Sequence, residues 1–363
     1  MKILKNKFFI VLIVIVICLL TINNLLNSSK FQNKIVERIT ESRVSQNISS
    51  FSSVQDTMQL SFCGIGSPLA SESAQNCIAV KINNKVYLFD VGSRSEVSFQ
   101  TNPLLNPNHI SAIFITHAHS DHIAGLGEIN LASWVQGRKE KLPVYGSPEI
   151  QNVIDGFNLV YKNDTKYRTE HHNNDSWKDG DFMISSAQNF KAITFEPSNE
   201  PQLVFNKNGV KVYAVSNSHF PVEGSVGYKI VFGGRSITIS GDTDISENIF
   251  KLAENGDVLI YEAMFKDHVK IMSSAAKEAG SERISHIFND ILSYHADVAD
   301  IKENIKDRNT KLLVLSHFVP PVNQITERKV KSIFKDSKQK VLIASEEDML
   351  ISLPANSEEI IFN

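Results

Sequence analysis

Cysteine is scarce in this chain of 363 residues, which has three, at positions 18, 63 and 77. Cys18 falls in an apolar N-terminal run. Cys63 and Cys77 lie on what should be neighbouring early strands. In an oxidising compartment they could pair, but two small buried thiols fit the sequence at least as well. Neither lies near the metal-ligand motif described below, so thiolate chemistry is not expected at the functional site.

The chain also lacks a large excess of either charge, since it has 37 Lys and Arg against 40 Asp and Glu, which gives a formal net charge of −3. Proteins that bind nucleic acid usually carry a basic face. The short basic run Arg138–Lys141 is interrupted by Glu140 and is typical of a solvated helix end. No short repeat of the solenoid type occurs either. The composition is that of an ordinary globular protein, and nucleic acid is an unlikely partner on this ground.

A clean small-x-small cleavage site is missing after the N-terminal segment. Met1–Lys7 carries three lysines, and Phe8–Leu20 is an uncharged apolar run. That run has the length of a signal-peptide core and falls short of the roughly 20 residues of a spanning helix. Leu25 and Leu26 would extend it into an uncleaved anchor. We therefore expect export, with the protein periplasmic, extracellular or anchored facing outward, and an N-terminal segment that engages the membrane or the export machinery.

Three parts follow from these features. Residues 1–29 are the signal peptide or membrane anchor, 30–57 are a polar linker, and 58–363 are the folded domain. The linker is rich in serine near its end and predicts at most a short helix around Ile35–Ile39. The folded part has about 300 residues, which is at the upper end of a single domain.

Short apolar runs alternate with helical patterns along the folded part. Ile78–Ile82 and Val86–Asp90 flank a turn of Asn83, Asn84 and Lys85, which predicts a hairpin. Two successive groups of strands with helices between them predict an α/β fold with a two-layered sheet core.

The motif on which the interpretation depends is His117-Ala118-His119-Ser120-Asp121-His122, which follows the apolar run Ala112–Ile115. It occupies a turn at the carboxyl end of a buried strand, where open α/β sheets place their ligands. His117 and His119 can point at one ion, and Asp121 and His122 at a second. Imidazole and carboxylate ligands suit zinc. Asp90, at the end of an earlier strand, is interpreted as a buried carboxylate that orients this loop.

The same succession of apolar strand and polar side chain recurs downstream. His219, Asp242 and His317 each come after an apolar run, and the run Val258–Tyr261 ends at Glu262. His295 precedes a further helical pattern. A single histidine of this kind would be unremarkable, and the repetition is what indicates a site.

Together these residues resemble the metallo-β-lactamase superfamily. The resemblance implies an αββα sandwich, in which two mixed sheets pack face to face with helices outside and a dinuclear metal site lies at the sheet edge. The single aspartate and the stretch Leu315–Phe318 are similar to the ribonuclease Z and arylsulfatase branch, and most of all to its exported arylsulfatase-like group. The likeness runs from about residue 58 to the end of the chain.

The resemblance also assigns ligands for two zinc ions per chain. The first ion would be held by His117, His119 and His219, the second by Asp121, His122 and His317, with Asp242 bridging the two. Departures from the family pattern occur at Gln75–Cys77, where a glycine-proline segment is expected, and at Asp244, where a neutral or basic residue is expected. They bear on substrate preference rather than on metal binding.

Two such ions lower the pKa of a coordinated water to about 7 and clamp an anionic tetrahedral ester. Asp121 would orient the nucleophile, and His295 would stabilise the transition state or protonate the leaving group; a hydrogen bond to a ligand is its plainer role. The expected substrate is a small anionic ester, with an aryl sulfate first. The alternative is a phosphodiesterase of the ribonuclease Z kind, which trims tRNA. A non-enzymatic metal-binding protein is disfavoured because a structural zinc site needs only four ligands. A homodimer is left open.

Two further sets of residues admit two interpretations each. The aromatic side chains Trp134, Phe157, Tyr161 and Tyr167 could wall an aromatic leaving group, or pack in the core. His171 and His172, in a polar stretch after residue 161, are either ordinary surface residues or a lip over the active site.

Overall fold

The structure is a computed structural model that describes residues 19–49, 54–68, 73–102, 104–173, 182–345 and 349–362. The chain divides into two compact units, Met1–Ser52 and Ser53–Asn363. All the residues that the sequence singles out as ligands lie in the second unit.

The first unit is helical in its described part. Residues 19–26 are helical, and helix α1 spans Ser29–Ser49. The helix is longer than the short one expected around Ile35–Ile39, because helix-forming polar residues continue on both sides of that segment. Within the described residues no helix has both the length and the apolar character needed to cross a membrane. The predicted signal or anchor lies largely in residues 1–18, which are outside the described residues.

In the described part of the second unit, fifteen strands form two mixed sheets. The first sheet has the order β15-β14-β1-β2-β3-β4-β5-β6, and the second has the order β13-β12-β11-β10-β9-β8-β7. The strands are β1 Thr57–Gly64, β2 Cys77–Ile82, β3 Lys85–Phe89, β4 Ile110–Phe114, β5 Leu142–Gly146, β6 Phe190–Thr194, β7 Gln202–Lys207, β8 Val210–Ser216, β9 Val226–Phe232, β10 Arg235–Ile239, β11 Val258–Met264, β12 Leu312–Val319, β13 Lys340–Ile343, β14 Leu350–Pro354 and β15 Ile361–Phe362. The predicted hairpin is β2–β3, which pair antiparallel.

The residues described in this unit also form ten α-helices. They are α2 Ser95–Thr101, α3 Ser120–Ile123, α4 Leu126–Val135, α5 Ile150–Val160, α6 Lys162–His172, α7 Glu247–Ala253, α8 Lys266–Glu278, α9 Glu282–Asp290, α10 Val298–Ile305 and α11 Gln324–Ile333. Short 3₁₀ turns cover Pro107–His109, Ser185–Gln188 and Ile291–Ser293.

The main core lies between the two sheets. Buried side chains of both sheets form one apolar cluster, in which Phe89 and Phe114 of the first sheet contact Tyr228 of the second. A second cluster lies on the outer face of the second sheet, beneath α7, α10 and α11. A smaller cluster around Trp134 lies among α4 and its neighbours outside the first sheet. This is the αββα layering that the sequence predicts, since each sheet is buried on both faces.

Parallel strands in each sheet bring several carboxyl ends to one edge. In the first sheet β3, β4, β5 and β6 run parallel. In the second sheet β10, β11, β12 and β13 do so. Polar residues that follow these strands therefore meet at a common edge.

One irregularity in the second sheet bears directly on the site. Glu262 of β11 pairs with Ser316, but Met264 pairs with Val319, so β12 carries one extra residue in this interval. His317 lies at this bulge with φ 51°, in the left-handed region that non-glycine residues rarely adopt. Bulges of this kind re-aim side chains and are common beside active sites.

Candidate metal centre

The loop that follows β4 is fixed by one buried carboxylate. Asp90 accepts hydrogen bonds from the Thr116 amide at 2.7 Å, the Thr116 hydroxyl at 2.8 Å and the Asn76 side chain at 2.9 Å. His122 Nδ1 lies 2.7 Å from the same carboxylate. Asp90 is fully buried, and its backbone has φ 59°. It therefore orients the ligand loop, as the sequence suggested.

Two glycines allow the loop to lie close against the strand ends. A Cβ on Gly92 would lie 2.2 Å from the Asp121 carbonyl oxygen, and one on Gly125 would lie 2.2 Å from the Gly92 carbonyl oxygen. Any larger residue would push the loop outward, because both contacts are with backbone.

The seven predicted ligands come together in two groups. Ligand atoms lie within 4.8 Å of one another among His117, His119 and His219, and likewise among Asp121, His122, Asp242 and His317. Asp242 joins the second group; its predicted bridging to the first ion stays a prediction.

The distances between ligand atoms within each group suit a tetrahedrally coordinated cation. In the second group the Nε2 atoms of His122 and His317 lie 3.3 to 3.4 Å from the carboxylate oxygens of Asp121 and Asp242. In the first group His119 Nδ1 lies 2.9 Å from His117 Nε2 and 3.3 Å from His219 Nε2. Two ligand atoms bound tetrahedrally to zinc at about 2.1 Å lie about 3.4 Å apart.

Four of the imidazoles are held by the nitrogen that does not face the centre. Nδ1 of His122 contacts Asp90, and Nδ1 of His117 lies 3.1 Å from the Thr116 hydroxyl. Nδ1 of His219 lies 3.2 Å from the Tyr294 carbonyl, and that of His317 lies 3.1 Å from the Gly66 carbonyl. Such bonds fix the tautomer and leave Nε2 as a metal ligand.

The charges in the second group favour a cation. Burial works against a charged His317, but Asp242 and Asp121 outweigh it and raise the pKa of His317 to about 10. Burial likewise opposes ionisation of Asp121, yet the facing His122 and His317 hold the pKa of that carboxyl below its usual range. The two carboxylates thus favour positive charge beside them, which a bound cation would supply in place of protons on the imidazoles.

Unpaired polar atoms give the same indication. Asp121 Oδ2, His122 Nε2, His317 Nε2 and Asp242 Oδ1 are buried and have no hydrogen-bond partner among the described residues. Buried polar atoms are nearly always paired in native proteins. The residues present therefore fit a metal ion, and His119, which is exposed, leaves the centre open to solvent.

A second carboxylate, on β11, supports the remaining histidine of the site. His295 Nδ1 lies 2.8 Å from Glu262 Oε1, and Glu262 also accepts a hydrogen bond from the Thr243 amide at 3.0 Å. Burial opposes protonation of His295, but Glu262 outweighs it and raises the pKa of His295. His295 belongs to neither ligand group. The sequence marked Glu262 as a strand-terminal acid, but its pairing with His295 gave no local signal.

The two early cysteines are joined. Cys63 of β1 and Cys77 of β2 form a disulfide, which settles the alternative that the sequence left open. The bridge lies beside Asn76, which contacts Asp90 and lies 3.2 Å from His122 Nδ1. The segment Gln75–Cys77, which departs from the family pattern, thus supplies Asn76, and Asn76 supports the ligand histidine His122.

A cavity of about 490 Å³ opens over the second ligand group. Asp121, Asp242 and His317 form part of its floor, and His119 and His295 also line it. Most of the remaining lining is apolar and comes from α8, α9, the turn after α9, and the end of β12 with the residues that follow it. Its apolar side chains include Met272, Ile284, Ile287, Phe288, Ile291, Val319, Pro320 and Pro321.

Of the two interpretations that the sequence left open for its four aromatic residues, the aromatic wall is wrong, because none of the four lines this cavity. Trp134 is 2% exposed, donates a hydrogen bond to the Ile184 carbonyl and packs in the small outer cluster. Phe157 packs against Phe190, Tyr161 lies over Gly127, and Tyr167 is exposed. Their elements, α4 to α6, lie outside the first sheet, whereas the apolar wall comes from helices after β11.

The paired histidines are likewise not in a loop. His171 and His172 end helix α6, and neither lines the cavity. A polar segment of this composition still forms a helix here, aided by the Arg168–Asp164 pair at i,i+4. The lip interpretation finds no support in the described residues.

Comparison with protein families and curated proteins identifies relatives of this arrangement. Residues 58–278 match the family model described as "Anti-Pycsar protein Apyc1". Ribonuclease Z of Mycobacterium bovis (strain BCG / Pasteur 1173P2) is 25% identical over 280 residues, covering 76% of this chain and 91% of the relative. Ribonuclease Z of Mycolicibacterium gilvum is 26% identical over 267 residues, covering 72% of this chain and 85% of the relative.

Solved structures agree on the fold. Human tRNase Z, short form, has a TM-score of 0.57 at 20% identity, covering 82% of this chain and all of that one. The metallo-β-lactamase fold protein YhfI from Bacillus subtilis has a TM-score of 0.56 at 18% identity with the same coverage. Zn²⁺-bound PqqB from Methylobacterium extorquens has a TM-score of 0.53 at 15% identity, covering 82% of this chain and 99% of that one.

Proposed function

Since the chain belongs to the anti-Pycsar protein Apyc1 family, on a metallo-β-lactamase fold, we propose that it is a metal-dependent phosphodiesterase. The observation that carries the proposal is the pair of ligand groups at one sheet edge, with ligand spacings of 3.3 to 3.4 Å in the second group. The ribonuclease Z relatives favour phosphorus over sulfur as the centre of the ester. The aryl sulfate expected first from the sequence gives way to the phosphodiester alternative.

The proposed ligands are those of the sequence prediction. His117, His119 and His219 would hold one ion, and Asp121, His122 and His317 would hold a second, with Asp242 shared between them and zinc as the proposed metal. Bound divalent ions of this kind lower the pKa of a coordinated water and polarise phosphoryl oxygens.

Protein groups supply the remaining chemistry. Attack of a water oxygen on phosphorus forms a new P–O bond, releases one proton of that water to solvent, and breaks the P–O bond to the leaving group, whose oxygen then needs a proton. His295 lines the cavity, and Glu262 engages its Nδ1, so Nε2 is the nitrogen that donates this proton. Glu262 stabilises the charged imidazole before transfer, which is the role of an orienting carboxylate. Asp121 orients the attacking water besides binding metal.

The test is a direct comparison of three substrates at equal concentration with metal-loaded enzyme. They are bis-p-nitrophenyl phosphate, p-nitrophenyl sulfate and a precursor tRNA. The tRNA is included because the relatives of this chain are named ribonuclease Z. Nucleic acid was called an unlikely partner only from the net charge, and these relatives outweigh that argument. We expect hydrolysis of at least one phosphodiester, loss of that activity in Asp121→Ala, and about two zinc equivalents per chain.

His172→Gln is the matched control, because it changes a histidine of α6 that does not line the cavity. It should retain wild-type turnover and metal content. Sulfate hydrolysis without phosphodiester hydrolysis would restore the arylsulfatase hypothesis and overturn this one. Phosphodiester turnover that persists in Asp121→Ala would remove the ligand assignment.

Export is a separate proposal. It is supported by the lysine-led apolar segment of the sequence and by the Cys63–Cys77 disulfide, since disulfides persist mainly in oxidising compartments. A fusion of residues 1–57 to a reporter that is active only outside the cytoplasm should give signal. A reporter that stays in the cytoplasm would refute it.

A further inference from the structure

Helix α9, Glu282–Asp290, has an unusual apolar stripe. Ile284, Ile287, Phe288 and Ile291, which directly follows it, have the spacing i, i+3, i+4, i+7 of one helix face. Such a face normally packs against a core. Here all four side chains line the cavity, and Ile284 and Ile287 remain 38% and 36% exposed.

Two small buried residues join α9 to α8. Ser273 of α8 donates a hydrogen bond to the Ser285 carbonyl at 2.9 Å, and the two hydroxyls also lie 2.9 Å apart. Both serines are buried. Small polar residues thus hold the two helices together, and the large apolar side chains face the space above the metal ligands.

The charge of the cavity is equally one-sided. No lysine or arginine is among the described residues that line it. A chain of several phosphates would find no cation there except the metal site itself, whereas polynucleotide-binding surfaces carry many. A volume of about 490 Å³ is that of a small-molecule site.

We propose that the α9 stripe is a specificity determinant, which selects small phosphodiesters bearing one bulky, uncharged apolar or aromatic substituent. The inference rests on the proposed phosphodiesterase function. Metal bound by the two ligand groups would hold the anionic centre, and Ile284, Ile287 and Phe288 would contact the substituent. The match to the family model ends at residue 278, so the stripe lies outside what the chain shares with that model.

The experiment varies the substituent at constant leaving group. Metal-loaded enzyme is given p-nitrophenyl methyl, hexyl and phenyl phosphate, which all release p-nitrophenolate. We expect kcat/KM for the hexyl and phenyl esters to exceed that for the methyl ester by about 10- to 100-fold, mainly through KM, because partial burial of several methylenes has this size. Equal values for the three esters would overturn the proposal and leave the phosphodiesterase function intact.

Variants locate the effect. Ile287→Ser and Phe288→Ser should each reduce the hexyl-to-methyl ratio by about tenfold, since a buried apolar contact is lost. His286→Ser is the matched control, because His286 is exposed on the same helix and does not line the cavity; its ratio should be unchanged. Circular dichroism and zinc content confirm that the variants are folded. Ratios unchanged in both stripe variants would refute the assignment to α9.

Binding separates this inference from the proposed function. Hexylphosphonate and methylphosphonate, which are not turned over, are titrated into metal-loaded protein by calorimetry. Tighter binding of the hexyl compound that is lost in Ile287→Ser supports the stripe even if no phosphodiester is hydrolysed. Sedimentation is run in parallel. A dimer that dissociates in Ile287→Ser without any change in ligand preference would show that a second copy covers the stripe, and would overturn the proposal.

Discussion

The two walls of the cavity are built in opposite ways. On the ligand wall, the side chains of Asp121 and Asp242 are buried, and behind them Asp90 alone accepts four contacts within 2.9 Å. On the helical wall, Ile284 and Ile287 are over one third exposed and make no polar contact. The positions of the ligand side chains on the first wall are fixed by several contacts at once, as a catalytic site requires. The second wall is free to change in shape, and changes there should alter selectivity at little cost in stability.

The largest effect should follow from removing the central support of the ligand wall. Asp90→Ala leaves the Thr116 amide, Asn76 and His122 without their acceptor. We expect loss of activity, a fall in zinc content toward one equivalent, and a decrease of about 3–5 kcal/mol in the free energy of unfolding, the cost of breaking a buried pair. Metal analysis and urea unfolding measure these changes. Asp307→Ala, at an exposed turn, is the control; two retained zinc equivalents in Asp90→Ala would contradict the contrast between the walls.

The next effect separates chemistry from metal binding on the same wall. His295→Ala should reduce turnover by ~10²–10⁴, the range of general acid catalysis, with zinc content unchanged. Glu262→Gln keeps a hydrogen-bonding side chain but loses the charge, and should cost about 10–100-fold, the range for an orienting partner. Single-turnover kinetics and metal analysis test both. Loss of zinc in His295→Ala would make that residue a ligand.

A smaller effect concerns the disulfide behind the ligand wall. Cys63→Ser combined with Cys77→Ser should lower the free energy of unfolding by about 2–4 kcal/mol, as for a bridge that closes a loop of this length. Reductant should produce a similar decrease in the wild type. The double variant provides the control, because reductant should not change it further. An identical midpoint for reduced and oxidised wild type would show that the bridge contributes nothing.

The smallest effect is expected on the helical wall. Ile287→Ser should change the free energy of unfolding by about 1 kcal/mol or less, since the side chain is 36% exposed. Urea unfolding beside His286→Ser gives the comparison. A loss as large as that of Asp90→Ala would mean that α9 is part of the core and that the two walls do not differ.

The ligand wall could be predicted from sequence because its signals are local. His117, His219 and Asp242 each come three residues after the end of a strand, and His317 lies near the end of β12; strand order alone brings such ends to one edge. The αββα layering follows from the same alternation. Asp90 was recognisable for the same reason.

The helical wall could not be predicted, because its pattern is ambiguous. The α9 stripe has the spacing of a core-facing helix, and only tertiary placement turns it to the cavity. Aromatic content suggested Trp134 as a wall residue, but a large apolar side chain is equally suited to a core, where it lies. The partners Glu262 for His295 and Asn76 for Asp90 are 33 and 14 residues distant, which no local pattern reveals.

The extra residue in β12 has a consequence for how far the two walls can vary independently. His317 lies in this bulge, and Val319 and Pro320, which line the helical wall, follow it directly. Ser316 and Val319 are three positions apart, whereas their partners Glu262 and Met264 are two apart, so deleting one residue between them would restore an even ladder in which Val319 still pairs with Met264. Such a deletion would remove or re-aim the ligand His317 and leave the apolar residues that follow it in place. The bulge therefore allows a metal ligand to change without the apolar wall, although both lie on the same strand.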